Sequence, residues 1–217
     1  MGRSDRWSIP LLIALLALFV GLPSSVYPAS CPTVGIGLDT TRADASSAST
    51  ILGEAVGQTF LAPASGIQSI TVWRVPAQDS LAFGLHLWIC NVDSTGMPLP
   101  QSLLLDGPTL NLPYGDGTHP LEFRFSFDPP FVLPAPGKYC FLVRVDPCWG
   151  WSDLLADIDN GYPDGCLWRT GRSIEACLLR PYPRSVSNVD LIFDIEFCDA
   201  ATPARQHTWG ELKVRYR

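Results

Sequence analysis

Seven residues constrain this chain more than any other stretch. From Leu121 to Phe127, the apolar residues Leu121, Phe123, Phe125 and Phe127 alternate without a break with Glu122, Arg124 and Ser126. An extended strand sends successive side chains to opposite faces, so the pattern predicts a strand with one buried and one wet face. The pattern returns in Val189–Phe197, where Asp190, Asp194 and Glu196 are expected to face outward. Ser69–Val75, Phe83–Cys90 and Tyr139–Val145 are further strands, and Gly57–Leu61, Leu103–Leu105 and Val34–Leu38 are weaker candidates. Turn chemistry separates them at Asp93-Ser-Thr-Gly96 before Pro98, at Tyr114-Gly-Asp-Gly117 and at Pro134-Ala-Pro-Gly137. Seven or eight short strands between such turns predict an all-β fold, a two-sheet antiparallel, jelly-roll-like sandwich. No long stretch has helical periodicity. Charged residues make up 17% of the chain, below the ~25% of an average domain, in keeping with strands and tight turns.

The N-terminus reads as an export signal. Arg3 and Arg6 give a positive start, Ile9 to Leu22 is apolar apart from Pro10 and Gly21, and Ala29 and Ser30 supply small residues near a cleavage point. That apolar run is short for a membrane span, which leaves an uncleaved anchor as the alternative. Ser30-Cys31 also fits a lipoprotein with Cys31 acylated, although Pro28 stands where such signals carry Leu. Removing residues 1–30 takes away Arg3, Arg6 and Asp5 and leaves the net charge one unit below its full-chain value of −6. An acidic chain repels nucleic acid and anionic lipid, so neither is expected as a partner. The expected organisation is a signal at 1–30, a first strand and linker at 31–52, a sandwich at 53–199 and a tail at 200–217. In that tail, Thr208-Trp-Gly-Glu211 matches a capping box and predicts a short helix.

The seven cysteines of an exported chain are candidates for disulfides. No C-x-x-C pair occurs, which removes the ligand spacing of zinc ribbons and thioredoxin-type motifs. Parity places Cys90 and Cys140 on the non-core faces of their strands, where they can bridge if the strands are neighbours. Cys148 and Cys166 flank an irregular segment and are expected to staple it. Cys31 is expected to pair with Cys198, which would leave Cys177 over.

The order of several short phrases resembles a group of bacterial secreted jelly-roll modules. Gly57-Gln-Thr-Phe60 opens it, Asp93-Ser-Thr-Gly-Met-Pro98 makes a turn, and Phe127-Asp-Pro-Pro-Phe-Val-Leu133 leads into Gly137-Lys-Tyr-Cys-Phe-Leu-Val143. Asp190-Leu-Ile-Phe193 closes it. The resemblance runs from Gly53 to Phe197 and implies a module similar to carbohydrate-binding and cell-surface accessory domains, with no shared catalytic residues. The many cysteines and the Cys148–Cys177 region depart from that pattern.

No hydrolase constellation is present in the sequence. G-x-S-x-G, H-E-x-x-H and phosphate-cradling glycine loops are absent, and no partner motif accompanies His86, His119 or His207. The richest segment runs from Cys148 to Trp168. Trp149, Trp151, Tyr162 and Trp168 lie in it with Asp153 and Asp164, and aromatic faces beside carboxylates are what a sugar-binding surface uses. The alternative is that the rings cover the end of the sandwich and the acids make turns. Asp157, Asp159 and Asn160 offer oxygen ligands for calcium, in an order unlike an EF-hand; no cofactor is required. The expected function is a non-enzymatic extracytoplasmic module that binds a glycan or a surface protein through this loop. A purely structural or adhesive surface domain is the second reading and a secreted hydrolase the third.

Overall fold

The computed structural model describes residues 33–43, 47–51, 53–78, 83–112, 115–172 and 177–198. The expected signal segment and the expected C-terminal helix lie outside these residues. Among the described residues, thirteen strands form two antiparallel sheets packed as a sandwich. They are β1 (Thr33–Gly37), β2 (Ser47–Ile51), β3 (Val56–Ala62), β4 (Gly66–Arg74), β5 (Phe83–Val92), β6 (Pro98–Leu112) and β7 (Leu121–Val132). The chain continues through β8 (Gly137–Asp146), β9 (Trp151–Asp157), β10 (Leu167–Arg169), β11 (Arg184–Val186), β12 (Asp190–Leu191) and β13 (Phe193–Cys198).

The first sheet has seven strands in the order β1-β13-β4-β9-β12, with β7 added on β4 and β2 on β9. The second has six strands in the order β11-β10-β3-β8-β5-β6. The alternating stretch at Leu121 becomes β7, and Phe123 and Phe125 are wholly buried as their parity requires. Phe193, Ile195 and Phe197 of β13 point inward in the same way. They meet Phe60 of β3 and Phe141 of β8 from the facing sheet, with ring centroids 6.2 Å apart for Phe60–Phe197 and 5.7 Å for Phe141–Phe193. Six fully buried phenylalanines form the centre of the core, each the kind of side chain whose burial contributes about 1.5–3 kcal/mol.

A polar latch joins the sheets inside this core. Gln58 Nε2 of β3 donates to Asp190 Oδ1 of β12 at 2.7 Å, and Leu191 N donates to Gln58 Oε1 at 3.0 Å. Tyr162 N donates to the other Asp190 oxygen at 3.1 Å. The opening and closing phrases read in the sequence therefore touch each other. Burial raises the Asp190 pKa, opposed by these hydrogen bonds.

Several expectations need correction. The stretch expected to be a first strand and linker, 31–52, also contributes β2, which pairs with β9 from Ser47–Leu155 to Ile51–Trp151. The supposedly irregular segment after Cys148 contains β9 and β10. The expected Cys148–Cys166 staple does not form, because Cys148 is bonded to Cys177. Cys166 is pinned elsewhere: its N–H donates to Thr59 Oγ1 at 2.9 Å and its carbonyl accepts from Thr59 N at 3.1 Å. Cys90 and Cys140 do stand directly opposite each other on β5 and β8. Both are buried free thiols rather than a bridge, and Cys140 Sγ lies 3.2 Å from the Phe141 carbonyl oxygen. Cys198 is disulfide-bonded; Cys31, its expected partner, lies outside the described residues.

Candidate functional site

The six residues expected to form a ligand surface do not converge. Trp149 and Trp151 stand together on either side of Gly150, where the chain turns from β8 into β9. Gly150 N donates to Pro147 O at 2.9 Å and closes that turn, next to the Cys148–Cys177 bridge. The two rings are 65% and 61% exposed, unusual for side chains that large. Asp153 shares the outward parity of Trp151 and accepts a hydrogen bond from the Ser49 hydroxyl on β2.

The others separate. Tyr162 is only 8% exposed and belongs to the core, edge-on to Phe193 at 5.2 Å. Its hydroxyl accepts from Leu61 N at 3.1 Å, and burial pushes the phenol pKa up. Asp164 is exposed in the turn before Gly165. Trp168 is half-buried on β10 in the other sheet, opposite Gly57.

The calcium reading loses its central ligand. Asp157 is 2% exposed and forms an ion pair with Arg42 Nε at 3.0 Å. It also accepts from Asp159 N at 2.9 Å, an aspartate turn rather than a cation cage. A Cβ on Gly161 would lie 2.3 Å from Asp157 Oδ2, so the glycine makes room for that pair. Among the described residues no group of three or more His, Cys, Asp or Glu side chains is placed to hold a metal ion.

His86 also has a structural role. Its Nδ1 lies 2.7 Å from Thr109 Oγ1 and its Nε2 2.7 Å from Asp106 Oδ1. Both partners are on β6, so the imidazole clips β6 to β5. Its ring also packs 4.2 Å from Trp88.

The sequence did not reveal a cleft of about 410 Å³ on the outer face of the seven-stranded sheet. Its floor follows the register across four strands, in which Arg124 of β7 faces Thr71 of β4, Thr71 faces Asp194 of β13, and Asp194 faces Gly37 of β1. Trp73 and Glu122, paired across β4 and β7, form one wall. The turn at Asp39 and Thr40 forms the opposite rim. Arg124 is drawn aside by an ion pair with Glu196, which also accepts from Ser69 Oγ at 3.0 Å. The Asp194 carboxylate has no ion-pair partner among the described residues. Burial, reinforced by the charge of Glu196, raises its pKa, while Arg124 opposes the rise. A usable signal was present in the outward charges of Glu122, Arg124, Asp194 and Glu196, but only the register shows that they are neighbours.

No family model matches the chain, and no curated protein matches it. Five solved chains match its fold. One contains the cysteine protease and lectin-like domains of Cwp84, a surface layer associated protein of Clostridium difficile. It shares 12% identity and a TM-score of 0.47 over 72% of this chain and 37% of that one. Another is the clostridial cysteine protease Cwp84 after propeptide cleavage, with 13% identity and a TM-score of 0.51. That match covers 77% of this chain and 40% of the other, so this chain spans about two fifths of that protein. At such identity the likeness concerns the fold alone.

Proposed function

We propose that this chain is a non-enzymatic, extracytoplasmic β-sandwich module that binds a glycan or a surface protein through the rim carrying Trp149 and Trp151. The observation that carries this reading is the exposure of two tryptophans on either side of Gly150, next to a disulfide. Leaving two large apolar faces in water costs free energy that a ligand stacking on them recovers. The bridge holds the rings in place beforehand, which lowers the entropy lost on binding. An N-terminal signal and the Cys148–Cys177 bridge fit an oxidising compartment.

Glycan-array binding by the wild-type chain, lost in Trp149→Ala and in Trp151→Ala variants that melt at the wild-type temperature, is the expected result. Binding to no glycan, with cell-surface assembly retained, sinks the glycan reading in favour of a structural or adhesive domain. Turnover of an ester or glycoside that is lost on replacing His86 sinks the non-enzymatic reading.

A further inference from the structure

We infer that the cleft on the outer face of the seven-stranded sheet is a second binding site, specific for a primary-ammonium group presented by an amino sugar or a lysine side chain. It is separate from the Trp149–Trp151 rim and does not depend on that proposal.

Charge comes first. Asp39, Glu122 and Asp194 line the cleft, and its single guanidinium, Arg124, is paired with Glu196. The carboxylate at the floor, Asp194, is half-buried and unpaired. A half-buried carboxylate whose neighbouring guanidinium, Arg124, is engaged by Glu196 is incompletely compensated, and a cationic ligand supplies the missing charge. The second observation is independent of charge. Thr71, between Arg124 and Asp194 on the floor, is 2% exposed, and its hydroxyl has no hydrogen-bond partner among the described residues. A buried polar group of that kind calls for an explanation, and a ligand donor entering the cleft that Thr71 lines supplies one. Trp73 adds a half-buried aromatic wall, suited to the apolar face of a sugar ring or to the methylenes and ammonium of lysine.

The shape also fits. A Cβ at Gly37 would lie 2.0 Å from the Phe193 carbonyl oxygen, so close strand approach requires glycine there. Gly35 is different, because its Cβ would make only an ordinary 3.6 Å contact with Asp194 Oδ1. Gly35 therefore keeps the cleft empty without being needed to close the sheet. The metal-ion alternative fails on geometry, since no three acidic, His or Cys side chains converge among the described residues.

The test is titration calorimetry on the exported chain with three probes: a glucosamine oligomer, its N-acetylated counterpart and a trilysine peptide. The two ammonium probes are expected to bind and the N-acetylated one to bind at least about tenfold more weakly, since it has lost the charge. The stronger of the two ammonium probes identifies the source. Gly35→Leu fills the cleft without changing any charge, and Asp194→Asn removes the floor carboxylate. Each is expected to weaken binding at least about tenfold. Asp116→Asn removes the same charge from an exposed turn and leaves binding unchanged. Binding fades as pH falls through the raised pKa of Asp194, whose surroundings are Glu196 on its own strand, Arg124 and Glu122 on β7, and Asp39 on the rim. Equal affinity for the N-acetylated probe overturns the inference. So does wild-type binding by a Gly35→Leu variant with an unchanged melting temperature.

Discussion

The outer faces of the two sheets differ more than their inner faces do. On the six-stranded sheet, Trp88 and Cys90 of β5 and Cys140 and Leu142 of β8 form a second buried apolar cluster with Ala55. Leu179 packs onto it, and the Arg144 guanidinium lies over the Trp88 ring at 4.8 Å. Arg144 also donates to the Cys177 carbonyl, and Cys177 is tied to Cys148. On the seven-stranded sheet, the equivalent face carries Glu122, Arg124, Ser69, Glu196, Thr71 and Asp194, and it opens into the cleft. A sheet buried on both faces contributes stability, and a sheet left polar on one face has side chains available for binding. The two faces should therefore respond oppositely to mutation.

The largest effect is expected from Leu142→Ala on the covered face. Chemical denaturation should show a loss of about 3–4 kcal/mol, since a buried leucine is removed and a cavity is left. A loss under about 1 kcal/mol would mean that this face is not a second core. Replacing Cys148 and Cys177 together by Ser should cost about 2–3 kcal/mol, because the bridge closes a long loop of the unfolded chain. Proteolysis should then cut near Leu179 first; resistance there would show that the bridge does not fasten the cover.

A smaller effect should follow pH. Asp194 and Asp190 have raised pKa values in the folded protein, so the folded state holds their protons more tightly than the unfolded state does. The contribution of these two groups to stability is then largest below the ordinary carboxylate range and falls as pH climbs through it to the raised values. Asp194→Asn should flatten part of that fall in thermal melts taken across pH; an unchanged slope would place the titration elsewhere. The smallest effect is expected from Glu122→Gln on the open face, within about 0.5 kcal/mol of wild type. A cost matching that of Leu142→Ala would erase the difference between the two faces.

Much of this contrast was legible in the residues. Tyr139–Val145 mixes apolar side chains onto both parities, whereas Leu121–Phe127 alternates strictly, and the two sheets behave accordingly. β9 was missed because Asp153 and Asp157 made its segment look like turns. Asp157 is instead buried against Arg42, which only tertiary packing supplies. β6 was reduced to a fragment by Pro98, Pro100 and Pro108, residues that an edge strand tolerates. The cysteine pairing depended on where the chain returns after β10, which no local pattern encodes. Trp149 and Trp151 were found because aromatic residues are visible one by one. The cleft was not, because Gly35, Thr71, Glu122 and Asp194 come from four strands far apart in the chain.

The latch between Gln58 and Asp190 spans 132 residues, and β1 pairs with β13, near the other end of the described chain. A polypeptide made amino end first cannot satisfy either contact until Asp190 and β13 have emerged. Closure of the sandwich is thereby deferred, which makes folding a slow search for distant partners. The early strands wait with bare edges during that interval, and those edges are where aggregation would start.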